Sequence, residues 1–82
     1  MGKYKNGYLT RPAITSEIKK VIAKTHGLNR SDLLINWLTP WREYKFPTGW
    51  IEKYAKIRIR AEGFKTHDFI LTQEKHKKWH MR

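Results

Sequence analysis

The chain has 82 residues, 18 of them Lys or Arg against seven Asp or Glu, for a formal net charge of +11, and it has no cysteine. That length allows one domain, excludes disulfides, zinc fingers and thiol chemistry, and fits a reducing, cytoplasmic setting. The charge points to an anionic partner, because +11 on so short a chain brings self-repulsion with no internal return. No apolar run approaches the ~20 residues of a spanning helix, and Met1 to Arg11 is basic without an apolar stretch behind it, so neither a membrane span nor a secretory signal is expected.

Residues 1–13 read as a basic, extended arm, in which Lys3, Lys5 and Arg11 are candidates for phosphate contact; a short strand at residues 8–11 is the alternative. Residues 14–74 read as a helical domain. Thr15 is placed to cap its first helix, with Glu17 in the first turn. Ile18, Val21, Ile22 and Thr25 share one helical face, and Gly27 supplies the left-handed residue that stops it. A second helix is predicted from a cap at Asn29, with Asp32 closing a capping box and Leu34, Trp37, Leu38 and Trp41 as its stripe. Pro40 ends it near Leu38.

Residues 41–49, WREYKFPTG, form an aromatic connection punctuated by Pro47 and Gly49. The next segment supports two periods. Trp50, Tyr54, Ile57 and Ala61 make a helical stripe, with Lys53, Lys56 and Arg60 on another face. Ala55, Ile57, Ile59 and Ala61 also alternate with Lys56, Arg58 and Arg60 in strand period, with a hairpin turn at Glu62 and Gly63. The helix is preferred because it also accounts for Trp50 and Ile51; a hairpin over residues 54–72 is the alternative. A last helix is predicted from Thr66, with Phe69, Thr72, His76 and Trp79 as its stripe. Residues 75–82 form a basic-aromatic tail in which Lys75, Lys77 and Lys78 are further phosphate candidates. The fold class expected is therefore mainly α, a small bundle of three to four helices.

Residues 22–33 carry the most specific pattern. Ala23 is a small residue inside a helix, Gly27 follows four residues later at a turn, and Leu28 is apolar. Asn29, Arg30 and Ser31 then make a polar run, and Leu33 is apolar. This resembles the helix-turn-helix of phage repressors and related bacterial regulators, over about residues 15–60 when Pro47 and the segment from Trp50 are included. Two departures stand out: the family's next buried position falls on Asn36, with Trp37 one residue late, and no scaffold helix precedes the pair. The resemblance implies a recognition helix entering the major groove N-terminus first. Asn29, Arg30, Ser31, Ile35, Asn36 and Thr39 would then be the DNA-binding residues. Arg30 suits guanine, Asn36 adenine, Ser31 a phosphate or base, and Ile35 and Thr39 a thymine methyl. Lys53, Lys56 and Arg60 would join the phosphate contacts.

The function expected is that of a small basic DNA-binding protein, a phage or bacterial transcription regulator or accessory factor that acts by occupying DNA. A homodimer is expected by analogy, and no cofactor. RNA or ribosome binding, and docking on an acidic host protein, are the alternatives. His76 and His80 have helical metal-ligand spacing but no third ligand, so no metal is expected. No nucleophile, phosphate loop or carboxylate pair points to an enzyme.

Overall fold

Alternation, not helical period, governs the second half of the chain. The computed structural model describes residues 4–82, so Lys3 lies outside the described residues. The elements are strands β1 (Tyr4–Lys5) and β2 (Tyr8–Leu9), helix α1 (Arg11–His26), a single 3-10 turn (Arg30–Asp32), and strands β3 (Leu34–Trp37), β4 (Arg42–Lys45), β5 (Ile51–Ala61), β6 (Phe64–Glu74) and β7 (Trp79–Met81).

The expected three-to-four-helix bundle is thus corrected to one helix packed on an antiparallel sheet in the order β3-β5-β6-β7. β5 is the axis of the sheet. One of its edges pairs with β6, and the other pairs with β3 at Ile57–Arg60 and with β4 at Ile51–Tyr54. β3 and β4 therefore form one long strand, interrupted at residues 38–41 where Pro40 has no amide to give the ladder. The interruption is stitched to β5: Leu38 N–H donates to the Lys56 carbonyl (2.8 Å), and Lys56 N–H donates to Thr39 Oγ1 (2.9 Å).

The predicted second helix fails because its apolar residues do better at period two. Ile35 and Trp37 face inward opposite Ile59 and Ile57, while Leu34 and Asn36 face outward. Asn29 makes no capping bond. Asn36, misplaced in the helix-turn-helix pattern, is correctly placed in a strand. The helix-turn-helix is accordingly absent. Downstream, the hairpin alternative forms in place of both predicted helices, and is longer than residues 54–72: β5 and β6 pair from Glu52↔Glu74 to Ala61↔Phe64.

α1 starts five residues earlier than the Thr15 cap implied. Thr10 occupies the cap position, and Pro12 lies in the first turn, where a missing amide costs nothing. Gly27 ends the helix as expected, at φ 65°, its N–H donating to the Ala23 carbonyl. The buried stripe is Ile14, Ile18 and Ile22, whereas Val21 is 45% exposed. This stripe covers Ile57, Ile59 and Leu71, which are fully buried, with Leu9 and Leu33 closing the core. Each such side chain contributes roughly 1.5–3 kcal/mol.

Three indoles tie the layers together. Trp37 donates to Thr15 Oγ1 (3.0 Å), Trp79 to Glu17 Oε1 (3.1 Å) and Trp41 to the Leu9 carbonyl (3.3 Å). Residues 4–9, part of the expected arm, form a hairpin with Asn6 and Gly7 at φ 55° and 86°. Asn-Gly is the preferred pair for such a turn. Residues 79–81, part of the expected tail, add the edge strand β7.

Candidate nucleic-acid interface

A single helix can cover only one face of this sheet, and the other face is left open. On β5 the even-numbered residues point to that open face, and register brings their neighbours beside them. Arg60 lies beside Leu34, and Arg58 lies between Asn36 and Asp68. Lys56 lies beside Ile70, whose backbone exchanges hydrogen bonds with Arg82. Tyr54 lies between Arg42 and Thr72, with His80 beyond. Tyr44 and Glu52 form the last row, with Glu74 opposite Glu52.

Lys56, Arg58 and Arg60 are all exposed. Two residues of strand separate neighbours by about 6.7 Å, so the three cations form a straight row. Arg42 and Arg82 flank it, both exposed. Arg58 is partly neutralised: its Nε and Nη2 donate to the two Asp68 carboxylate oxygens at 2.7 and 3.1 Å. This fork holds the Asp68 carboxyl below its ordinary range, the hydrogen bond from Arg58 being the chief cause. It is the one ion pair found among the described residues. Arg60 Nη2 donates to Asn36 Oδ1 at 3.5 Å, a long contact that leaves its charge uncompensated.

Aromatic surface lies at the other end of the same face. Tyr44 is 51% exposed and packs edge-to-face on Phe46, itself 37% exposed, with ring centres 4.8 Å apart. Tyr54, half-buried, sits between this pair and the cationic row.

The residues expected to touch DNA divide between this face and other places. Asn36, Lys56 and Arg60 meet on it. Asn29, Arg30 and Ser31 are exposed at the 3-10 turn, Ile35 points into the core side, and Thr39 is engaged with Lys56 and Pro40. The reading helix that would have joined them does not exist. Arg11 opens α1 with its guanidinium 5.0 Å above the Trp37 ring, and Lys53 lies 4.9 Å above the Tyr8 ring, both on the covered side. Lys5 is exposed on β1, and Lys75, Lys77 and Lys78 crowd the exposed turn between β6 and β7. Arg58, Arg42, Arg82, Tyr44 and Tyr54 were missed as members of one surface. The Lys56-x-Arg58-x-Arg60 alternation was the signal for the central row.

No protein-family model matches this sequence, and comparison with curated proteins and with solved structures finds no match. No helix among the described residues is long and apolar enough to cross a membrane.

Proposed function

We propose that this protein binds single-stranded nucleic acid along the open face of its sheet. The observation that carries the reading is the exposed row Lys56, Arg58 and Arg60 on the central strand, continuous with Tyr54, Tyr44 and Phe46. Cations that track a backbone beside aromatic rings that stack on bases are the combination that sequence-tolerant single-strand binders use. An eleven-residue strand spans about 35 Å, room for several nucleotides in extended form. Duplex DNA was the first expectation, but its support was a recognition helix, and without that helix neither a palindromic site nor a homodimer is required. The +11 charge and the open basic face suit a phosphate backbone in either case.

The test is a binding series on single-stranded DNA and RNA and on duplex, at two or more salt concentrations. With four uncompensated cations on the face, the single-strand log-log salt slope should be about −3. Lys56→Ala with Arg60→Ala should weaken single-strand binding and flatten the slope by about 1.4, whereas Lys20→Ala with Lys24→Ala on α1 should leave the slope nearly unchanged. Equal losses from the two pairs, or preference for duplex, would defeat the reading. Binding to neither nucleic acid would leave an acidic protein partner as the use of the charge.

A further inference from the structure

Arg42, Lys56, Arg60 and Arg82 on the open face have no carboxylate partner among the described residues, but Arg58, at the centre of the row, has one. Asp68 takes two of its five N–H groups, from Nε at 2.7 Å and Nη2 at 3.1 Å. The Asp68 carboxyl is held below its ordinary range, so both partners are charged near neutral pH and the pair is net neutral. A phosphate therefore gains little at this point and more at Lys56 and Arg60, each about 6.7 Å along the strand on either side. Two corners around the pair are apolar. Leu34 lies beside Arg60 and Ile70 beside Lys56, which makes them diagonal neighbours of Arg58, roughly 7–8 Å away on opposite sides. They are 57% and 44% exposed, large apolar side chains that the fold leaves uncovered.

The fork also decides how the guanidinium lies. A flexible arginine loses rotamer freedom when it binds, and a partner that holds it beforehand lowers that cost. Three N–H groups stay free, one on Nη2 and two on Nη1, and the facing pair makes two parallel donors at the end of the group. The Arg58 side chain is 44% exposed, which gives a ligand access. This centre suits a neutral, flat partner with two adjacent acceptors and an apolar face. Guanine has them in O6 and N7, whereas adenine puts an amino donor beside N7 and thymine offers O4 alone on that side. Cytosine also carries adjacent acceptors, N3 and O2, but on a smaller ring with less face to lay against Leu34 and Ile70. A splayed single strand exposes these edges. We infer that Arg58, positioned by Asp68, is a specificity-determining residue that reads one guanine of the bound strand, with phosphates on either side at Lys56 and Arg60. This rests on the open-face reading and adds one base preference to an otherwise sequence-tolerant surface.

The test compares short single strands of thymine that differ only at one central base: guanine, adenine, cytosine or thymine. The whole protein should bind the guanine strand about tenfold more tightly than the all-thymine strand, with cytosine between them. Arg58→Lys keeps the charge but cannot present two parallel donors, so it should erase the preference and leave the all-thymine affinity nearly unchanged. Asp68→Asn should weaken the preference while steepening the salt slope, a pair of changes that a loss of structure would not produce together. Lys56→Ala should weaken every strand alike and keep the ratio. Circular dichroism of each variant checks that the fold is retained. Equal affinity for the four strands, or a guanine preference that survives Arg58→Lys, overturns the guanine site. If that happens while binding still responds to Lys56→Ala with Arg60→Ala, the open-face reading stands alone. Binding to none of the four strands would bring down both.

Discussion

Gln73 shows how much one polar side chain can hold in a domain this small. It is 1% exposed, its Oε1 accepts the Leu9 N–H at 3.0 Å, and its Nε2 donates to the Lys77 carbonyl at 2.9 Å. It therefore joins the β1–β2 hairpin to the turn after β6. Gln73→Leu would fill the same space but strand a buried donor and an acceptor, at about 2–4 kcal/mol, a large share of the stability of a marginal domain. Thermal or urea unfolding checks it, and a loss under 1 kcal/mol would mean the bridge is not needed. Asp68 gives a second residue-scale outcome. Its pairing stabilises the folded state above the ordinary carboxylate pKa near 3.8, and the contribution is lost as pH falls through the lowered folded value. Carboxyl shifts followed by NMR should show Asp68 titrating below the ordinary carboxylate range, and returning toward it in Arg58→Ala. Asp68→Asn should free Arg58 for phosphate and steepen the single-strand salt slope by about 0.7; an unchanged slope would place Arg58 outside the contact.

At the scale of elements, what was legible was local. The Gly27 stop was visible because it depends on one residue's tolerance of positive φ, and the stop is present at φ 65°. The Asn6-Gly7 turn was missed inside the expected extended arm, because its flanking strands are two residues each and had no periodicity to announce them. The segment from Trp50 to Ala61 satisfies two periods at once, and only pairing partners distant in sequence decide between them. β3 is the same case: four residues with Leu and Trp at helical spacing become a strand because Ile57 and Ile59 offer a better surface. Arg58 and Asp68 are ten residues apart and meet only once the hairpin forms. The helix face can be tested directly. Ile18→Ala should cost about 2–5 kcal/mol by opening the core, while Val21→Ala, on a residue 45% exposed, should cost under about 0.5 kcal/mol. Similar losses at both would mean that α1 is rotated from the stated face. Gly7→Ala should destabilise the β1–β2 hairpin for two reasons, since φ is 86° and an added Cβ would come within 2.7 Å of Lys75 Cγ. Amide exchange at Tyr8 and Leu9 reports it, and unchanged protection there would contradict the turn.

For the whole molecule, charge and shape lead to the same surface. The expectation of an anionic partner came from composition alone, because it needs only the +11 and not its placement. Placement depended on the fold, and the helical reading kept Lys56 and Arg60 on one helix but put Asn36 on another. With one helix on one face, the other face of the sheet is left open on a body measuring 42 × 27 × 19 Å. Amide chemical-shift mapping on the isotope-labelled protein, during titration with a short single-stranded oligonucleotide, tests the central claim most directly. The account predicts that the perturbed amides and side chains cluster at Asn36, Arg42, Tyr54, Lys56, Arg58, Arg60, Ile70 and Arg82, with the outer side of α1 around Lys20 and Lys24 unmoved. Perturbations centred on α1 and the Arg30 turn, with the β5 row silent, would contradict it.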